Sequence, residues 1–214
     1  VLLEKETSEM LWYSSSSTNA HSAELLPGDR IAVACSDGGD CVQIFDIAQS
    51  NKPLFSTPLV SAHGVVWNEK HQRLYAIGGT SLNVYKLTDW ETSLPKLTLE
   101  KTISTKDYVT GLHDLTYVDP NTLLIAGKWC ALYDISKNSF IKLARFNSSH
   151  SIKSVNYNST TGECWYVDAT NPEGEFTWSS KTIHYTEDIN SSSPDKMTIT
   201  NVPFNMYKAR VLYW

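Results

Sequence analysis

The sequence predicts an all-β fold of the β-propeller class. Three observations indicate it: a histidine recurs at the start of four strand-like runs, the same order of short β-rich runs follows each histidine, and no window keeps helical periodicity. The histidines are His21, His63, His113 and His150, with spacings of 42, 50 and 37 residues. These spacings bracket the period of about 40–45 residues that is typical of propeller blades.

Each repeat predicts four strands. The histidine opens the inner strand, and a turn rich in Pro, Gly, Asn or Asp follows it. The second strands are predicted at 31–34, 74–77, 123–126 and 164–167, and the third strands at 42–46, 82–86, 131–134 and 182–185. The fourth strands are more polar and are predicted at 53–56, 97–100, 141–144 and 196–199. Four short strands rich in Val, Ile, Tyr and Phe are the signature of one blade.

The repeats divide one domain, 1–214, into blades at about 21–62, 63–112, 113–149 and 150–205. A propeller closes on itself because an open strand edge promotes aggregation. We therefore expect a fifth blade assembled from both ends of the chain, 206–214 and 1–20. The alternative is a propeller of six or seven blades, whose further blades precede Val1.

Composition narrows the functional classes. The chain is 41% hydrophobic and 19% charged, which is typical of a globular protein and not of a disordered one. A net charge of -5 without a cluster of Lys and Arg argues against nucleic acid as a partner. No apolar run approaches the ~20 residues that span a bilayer, so we expect no membrane span.

The cysteines and glycosylation motifs together favour a secreted protein. Cys35 and Cys41 flank a predicted hairpin turn, which allows a short disulfide across it. Cys130 and Cys164 lie on strands of neighbouring repeats, which allows a second, and the sequence leaves the pairing open. Three sequons for N-glycosylation fall in polar loops, at Asn147, Asn158 and Asn190.

Parts of the chain resemble several propeller families. Phe45-Asp46 and Tyr133-Asp134 are similar to the Trp-Asp ending of WD40 repeats, and the stretch 34–47 resembles the second hairpin of that family. The opening His63-Gly-Val-Val is more similar to the inner strands of NHL, SMP-30 and streptogramin-lyase propellers.

The stretch 19–29 resembles a family of uncharacterised secreted propellers of bacteria and fungi. That resemblance covers the whole chain, including the Tyr207-Lys-Ala-Arg tail, and implies a longer N-terminus but no established activity.

The recurring histidines predict an axial site. Inner strands line the channel of a propeller, so His21, His63, His113 and His150 are expected to face one funnel. Imidazoles are common ligands of transition metals, and we predict one divalent ion there, calcium, manganese or zinc. Asp114 is the preferred carboxylate near these histidines. The simpler alternative is that the histidines only hydrogen-bond the backbone of neighbouring blades.

A long insertion at 169–180 replaces a tight turn in the fourth repeat. It carries Phe176 and Trp178 beside Glu173 and Glu175, a combination that suits the apolar face and hydroxyls of a sugar. We therefore predict Phe176, Trp178 and Asp114 as ligand-binding residues. The alternative for Trp178 is that it covers a blade edge.

These observations predict a protein that binds a carbohydrate or small polar ligand at a histidine-lined site. The first alternative is a metal-assisted lyase or hydrolase acting on polysaccharides, in which a His or Tyr accepts a proton. The second alternative is a protein-interaction scaffold of the WD40 kind.

Overall fold

The prediction of an all-β propeller fold is confirmed. The computed structural model describes residues 1–49, 52–146, 150–171, 176–200 and 202–211. Its described residues form four antiparallel four-stranded sheets, the blades, and one small two-stranded sheet. One short 3-10 helix, Ala144–Phe146, follows the third blade. No helix among these residues has the length and hydropathy needed to cross a bilayer.

The chain divides into two compact units, Val1–Ile103 and Ser104–Trp214. The first unit holds the two-stranded sheet and the first two blades. The strands of the small sheet are β1 Leu2–Leu3 and β2 Met10–Trp12. The strands of the first blade are β3 Ala20–Leu26, β4 Arg30–Cys35, β5 Cys41–Asp46 and β6 Phe55–Pro58. Those of the second blade are β7 Ala62–Asn68, β8 Arg73–Gly78, β9 Ser81–Thr88 and β10 Lys96–Ser104.

Turn chemistry and alternation explain the blades of the first unit. Gly28 and Asp29 have φ of 72° and 53°, which lets the chain reverse between β3 and β4. Leu26, Ala32 and Ile44 of the first blade then pack in one core with Val65 and Leu74 of the second. The opposite face of the first blade is covered in part by the small sheet, where Trp12 meets Phe45 edge to face at 5.6 Å. Burial of these apolar faces stabilises the unit by about 25 cal/mol per Å².

The second unit holds the third and fourth blades. The strands of the third blade are β11 Asp114–Asp119, β12 Thr122–Ala126, β13 Cys130–Asp134 and β14 Ser139–Lys142. Those of the fourth blade are β15 Ile152–Tyr157, β16 Cys164–Asp168, β17 Ile183–Thr186 and β18 Met197–Ile199. Leu124 from the third blade and Phe146 from the 3-10 helix that follows it pack against Ile152, Val155 and Tyr166 from the fourth. The third blade therefore covers an apolar face that β15 and β16 of the fourth blade share.

The C-terminal tail belongs to the second unit and forms no strand over its described residues, 207–211. It follows β15 through side-chain contacts. The Ala209 N–H donates to Ser154 Oγ at 3.0 Å, and the Val211 N–H donates to Asn156 Oδ1 at 3.1 Å. The remaining tail residues, 212–214, lie outside the described residues. A blade assembled from both chain ends stays a prediction.

Neither of the two disulfides that the sequence allows is formed. All four cysteines are free and buried. Cys35 and Cys41 do lie opposite each other across the predicted hairpin, but both thiols pack in the apolar cluster of Trp12 and Phe45. Cys130 and Cys164 pack in the core between the third and fourth blades. Each thiol therefore serves as a small buried apolar group.

We expect the native thiols to be unreactive. Burial raises the pKa of Cys35 to about 11 and that of Cys164 to about 12, and it raises the pKa of Cys130 well above the ordinary value. Because the thiolate is the reactive form, a chromogenic thiol reagent should label the native protein very slowly at neutral pH. After unfolding in denaturant without reductant, all four thiols should react. Fewer than four reactive thiols in the unfolded protein would mean that a disulfide is present.

Candidate functional site

The inner strands carry a one-residue irregularity near their start. In β3, Ala20 faces Cys35 and Ser22 faces Ala34, so His21 is an extra residue that the strand register skips. The extra residue is His63 in β7 and Lys153 in β15. Such bulges often lie next to functional sites because they turn one side chain away from the regular alternation.

His113 occupies the same position in the third blade. Its N–H donates to the carbonyl of Ala126 at 2.9 Å, and Asp114 faces that same Ala126. His113 therefore lies one residue before Asp114, where the pairing of β11 begins. His21 likewise lies one residue before Ser22, from which the pairing of β3 is regular. The bulge position is occupied by His21, His63, His113 and Lys153.

His150 does not share this register. It lies before β15, three residues ahead of Lys153, and its Nδ1 contacts Asp168 Oδ2 at 2.8 Å. Burial opposes the ionisation of Asp168, but hydrogen bonds from Thr170 and His150 outweigh burial and lower the pKa of Asp168. The fourth blade thus places a lysine where the other three place a histidine.

Within each unit, the two bulge residues contact each other. In the first unit, the rings of His21 and His63 stack with centroids 4.2 Å apart and an interplanar angle of 11°. The Nδ1–H of His63 donates to the carbonyl of Ser61 at 2.8 Å, which fixes the orientation of the ring. His63 is buried, whereas His21 is half-buried.

In the second unit, Lys153 Nζ lies 2.9 Å from His113 Nε2, and the Tyr207 hydroxyl lies 3.2 Å from His113 Nδ1. A charged amine can only donate, so Nε2 is the acceptor and Nδ1–H donates to the Tyr207 oxygen. Burial lowers the pKa of Lys153, and Asp168 opposes this effect. Lys153, His113 and Tyr207 therefore form a chain of three groups that can exchange protons.

Within each unit, the described residues do not assemble the donor set that a metal site needs. Structural and catalytic zinc sites use at least three protein ligands. Among the described residues, no group of three or more His, Cys, Asp or Glu side chains is arranged to hold a metal ion. Both nitrogens of His113 are engaged by Lys153 and Tyr207. A calcium, manganese or zinc ion at the histidines stays a prediction.

Asp114 is the centre of a buried ion cluster. Its side chain is inaccessible to solvent, and its carboxylate accepts from Lys208 Nζ at 3.0 Å, from Arg210 through both of its terminal nitrogens and from the Val155 N–H at 3.0 Å. Burial would raise the pKa of Asp114, but Lys208 and Arg210 outweigh it and lower that pKa. Lys208 is nearly buried, whereas the Arg210 side chain is 39% exposed. Asp114, predicted to bind ligand, thus holds two cations of the tail.

The predicted aromatic residues lie beside this cluster. Phe176 and Trp178 stack with ring centroids 4.9 Å apart, and Trp178 meets Tyr207 edge to face at 6.1 Å. Trp178 is 48% exposed. Lys153 and Lys208 both lie near the Tyr207 ring, at 5.7 and 5.8 Å from its centroid. Glu173 and Glu175 lie outside the described residues.

Sequence reasoning missed four residues around Asp114 and His113, namely Lys153, Tyr207, Lys208 and Arg210. Lys153 was hidden because the position of a bulge depends on strand pairing, which spacing between histidines does not reveal. The tail Tyr207-Lys-Ala-Arg contains three polar or charged residues in four, a signal that could have marked it as functional.

Glu24 is another titratable group near the inner strands. It lies half-buried in β3, and the backbone N–H of Trp67 donates to its carboxylate. Burial raises the pKa of Glu24 to about 7, and that hydrogen bond opposes the rise only in part. The residue also lines a cavity of about 420 Å³ beside the small sheet, together with Trp12 and Phe45.

Comparison with known proteins places the chain in a family. DUF6528, described as a family of unknown function, matches residues 2–177, and the chain belongs to that family. None of the curated proteins matches it.

Two solved structures share the fold. Hydrazine synthase of Kuenenia stuttgartiensis is 12% identical, with a TM-score of 0.60 over 88% of this chain and 51% of that chain. A chain of a mitotic checkpoint complex is 11% identical, with a TM-score of 0.55 over 83% of this chain and 50% of that chain. The protein thus spans about half the length of these chains. At such identities the likeness shows the fold alone.

We expect the carboxyl of Glu24 to make stability fall with rising pH. Its folded-state pKa, about 7, lies above the ordinary value of 4.5, so between these values the folded state keeps a proton that the unfolded state releases. Glu24→Gln should therefore stabilise the protein by about 1–2 kcal/mol more at pH 8 than at pH 4. Thermal melts of both proteins across this range measure the difference. A difference that does not change with pH would contradict the expectation.

We expect the Asp114 cluster to be essential for stability. Asp114→Asn leaves the buried Lys208 and the Arg210 guanidinium without their carboxylate, and breaking a buried pair in this way costs about 3–5 kcal/mol. The matched control is Asp134→Asn, which removes a carboxylate that pairs with the exposed Lys137. Urea unfolding should show a much smaller loss for the control. Equal losses for the two variants would contradict a buried ion cluster.

Proposed function

We propose that this DUF6528 protein binds an acidic saccharide, or another small ligand that carries a carboxylate, at the ion cluster of its second unit. One observation carries the proposal. A partly exposed aromatic pair lies directly beside a group of side chains with excess positive charge. Acidic sugars combine an apolar ring face with an anionic group, and the cluster offers a partner for each.

The charge of the cluster supports an anionic ligand. Lys153, Lys208 and Arg210 are opposed by the carboxylates of Asp114 and Asp168, so one positive charge is left over. Arg210 is the accessible member. Both of its terminal nitrogens bind Asp114, but a guanidinium has five N–H donors, so it can bind the carboxylate of a ligand as well. Because the site is partly removed from water, such a pair is stronger there than on an open surface.

The aromatic residues support a sugar as the carrier of that carboxylate. The C–H face of a pyranose ring is apolar and packs on indole rings, and Trp178 presents an indole that is 48% exposed. Phe176 stacks on Trp178 and Tyr207 meets it at its edge, so both neighbours restrict the movement of the indole. A positioned aromatic ring loses little entropy when a ligand binds to it.

A second candidate is a β-elimination on the same acidic sugar. The hydrogen-bonded series Lys153, His113 and Tyr207 favours it, because these groups can accept a proton from the carbon next to the carboxylate and pass it on. The electrons of that C–H bond form a C=C bond to the neighbouring carbon, the C–O bond to the leaving sugar breaks, and the leaving oxygen takes up the proton. Burial lowers the pKa of Lys153, which brings the amine closer to the protonation state of a base. Arg210 would stabilise the negative charge that develops on the carboxylate.

We expect oligomers of glucuronate or galacturonate to bind and the matching neutral oligosaccharides to bind weakly. Arg210→Gln should raise Kd about 10- to 100-fold because it removes a charge-assisted hydrogen bond. Trp178→Ala should raise Kd about tenfold because it removes the stacking surface. Isothermal titration calorimetry measures these constants, with Lys137→Gln as a control that removes an exposed cation of the third blade.

Two results would contradict the proposal. One is equal affinity for acidic and neutral oligosaccharides, and the other is a Kd that Arg210→Gln and Lys137→Gln change to the same extent. The ultraviolet absorbance of an unsaturated uronate distinguishes elimination from binding alone. A protein that binds the oligomers but gives no such absorbance is a binding protein.

A further inference from the structure

A second cavity of about 330 Å³ lies in the second unit, over the outer half of the fourth blade. Its volume is within the range of small-molecule sites. Every residue that lines it is polar, and none belongs to the cluster of Asp114 and its cations. Ser180 and Asn171 contribute to the wall beside the blade, and the remaining lining comes from strand positions or their extensions.

Strand pairing places these polar side chains on one face. In the sheet, Tyr166 faces His184, and His184 faces Thr198. Because side chains alternate with a period of two, Asp168, Thr182 and Thr200 lie on that same face one step further along each strand. The two rows run from β16 across β17 to β18. The cavity therefore meets side chains of three adjacent strands.

Nearer the inner strand of the fourth blade, the same face is apolar. There the residues are Ile152, Val155 and Cys164, which pack against the third blade. Hydroxyl and carboxyl groups lose hydration when a neighbouring blade covers them, so such a face is normally apolar. The change from apolar to polar residues along one sheet face leaves a surface whose groups are able to hydrogen-bond to a ligand.

His184 is held rigidly at the wall of the cavity. Its Nδ1 lies 2.8 Å from Asp195 Oδ2, and its ring stacks on Tyr166 with centroids 4.8 Å apart. The other oxygen of Asp195 accepts from the Tyr166 hydroxyl at 2.8 Å and from Arg145 at 3.0 Å. The Arg145 side chain is only 7% exposed. With Nδ1–H directed to Asp195, the Nε2 atom is the acceptor that His184 offers.

We propose that this cavity binds a neutral, hydroxyl-rich ligand, of which a single hexopyranose unit is the best match. Thr182, Thr198 and Thr200 can each donate and accept, whereas Asp168 and His184 Nε2 accept from ligand hydroxyls. A ligand with alternating donors and acceptors around a ring satisfies such a set. The proposal does not depend on the acidic-sugar site, because Asp168, the one residue that adjoins both, contacts a ligand only in this cavity.

The test uses methyl glycosides of glucose, galactose and mannose as probes, with cyclohexanol as a six-membered ring that has one hydroxyl. Binding is followed through the imidazole signals of His184 in ¹⁵N-histidine-labelled protein. Thr198→Val combined with Thr200→Val removes two hydroxyls at exposed positions and keeps the shape of both side chains. The matched control is Thr102→Val, at an exposed position of β10 in the first unit.

We expect at least one glycoside to shift the His184 signals and to saturate. Its Kd should rise about tenfold in the double variant, because two hydrogen bonds are lost, and stay unchanged in Thr102→Val and Arg210→Gln. His184→Phe keeps the aromatic ring but removes Nε2, and it should weaken binding measured by saturation-transfer NMR.

Three results would overturn the proposal. The first is that no glycoside shifts the His184 signals at tens of millimolar. The second is that the double variant binds as tightly as the parent protein. The third is that cyclohexanol binds as tightly as the glycosides, which would indicate apolar contact without hydroxyl recognition. Binding that Arg210→Gln abolishes would place the glycoside at the acidic-sugar site and would also overturn it.

Discussion

The apolar face of each sheet must be covered by another layer, and this constraint organises both units. Leu26 and Ile44 of the first blade pack with Val65 of the second, and Phe146 packs with Ile152 in the second unit. Burial of such faces is the main favourable contribution to folding, and it leaves few places for polar groups. The polar side chains of interest lie where this packing is interrupted, at the bulges of the inner strands and at the outer edge of the fourth blade.

The bulges of the inner strands set the positions of the candidate functional side chains. A bulge residue leaves the regular alternation, so its side chain is free to meet the equivalent residue of the next blade. His21 and His63 meet by stacking, whereas His113 and Lys153 meet through a hydrogen bond. One replacement of histidine by lysine changes the chemistry of the second unit, because a cation replaces an acceptor. Lys153 contacts His113 and the Tyr207 ring, whereas Arg210 is held by the carboxylate of Asp114.

The second unit also contains two pairs of histidine and aspartate with different surroundings. His150 and Asp168 adjoin the cluster through the electrostatic interaction of Asp168 with Lys153. His184 and Asp195 are held by Arg145 and by the stacked Tyr166 ring, away from that cluster. A site for an anionic ligand and a site for a neutral ligand can therefore occupy the same pair of blades, with Asp168 as the one charged group that adjoins both.

The sequence by itself determined the class of fold, the order of four strands in each repeat and three of the four bulge residues, because alternation, turn residues and histidine spacing are local signals. It also marked Phe176 and Trp178, since an aromatic insertion in a repeat is visible without coordinates. Only the tertiary structure decided that Lys153, rather than His150, completes the set, because register depends on hydrogen bonds between strands. It also decided that Asp114 binds Lys208 and Arg210, which are more than ninety residues away in the sequence. A buried carboxylate needs cations that are close in space, and the sequence does not show which cations those are.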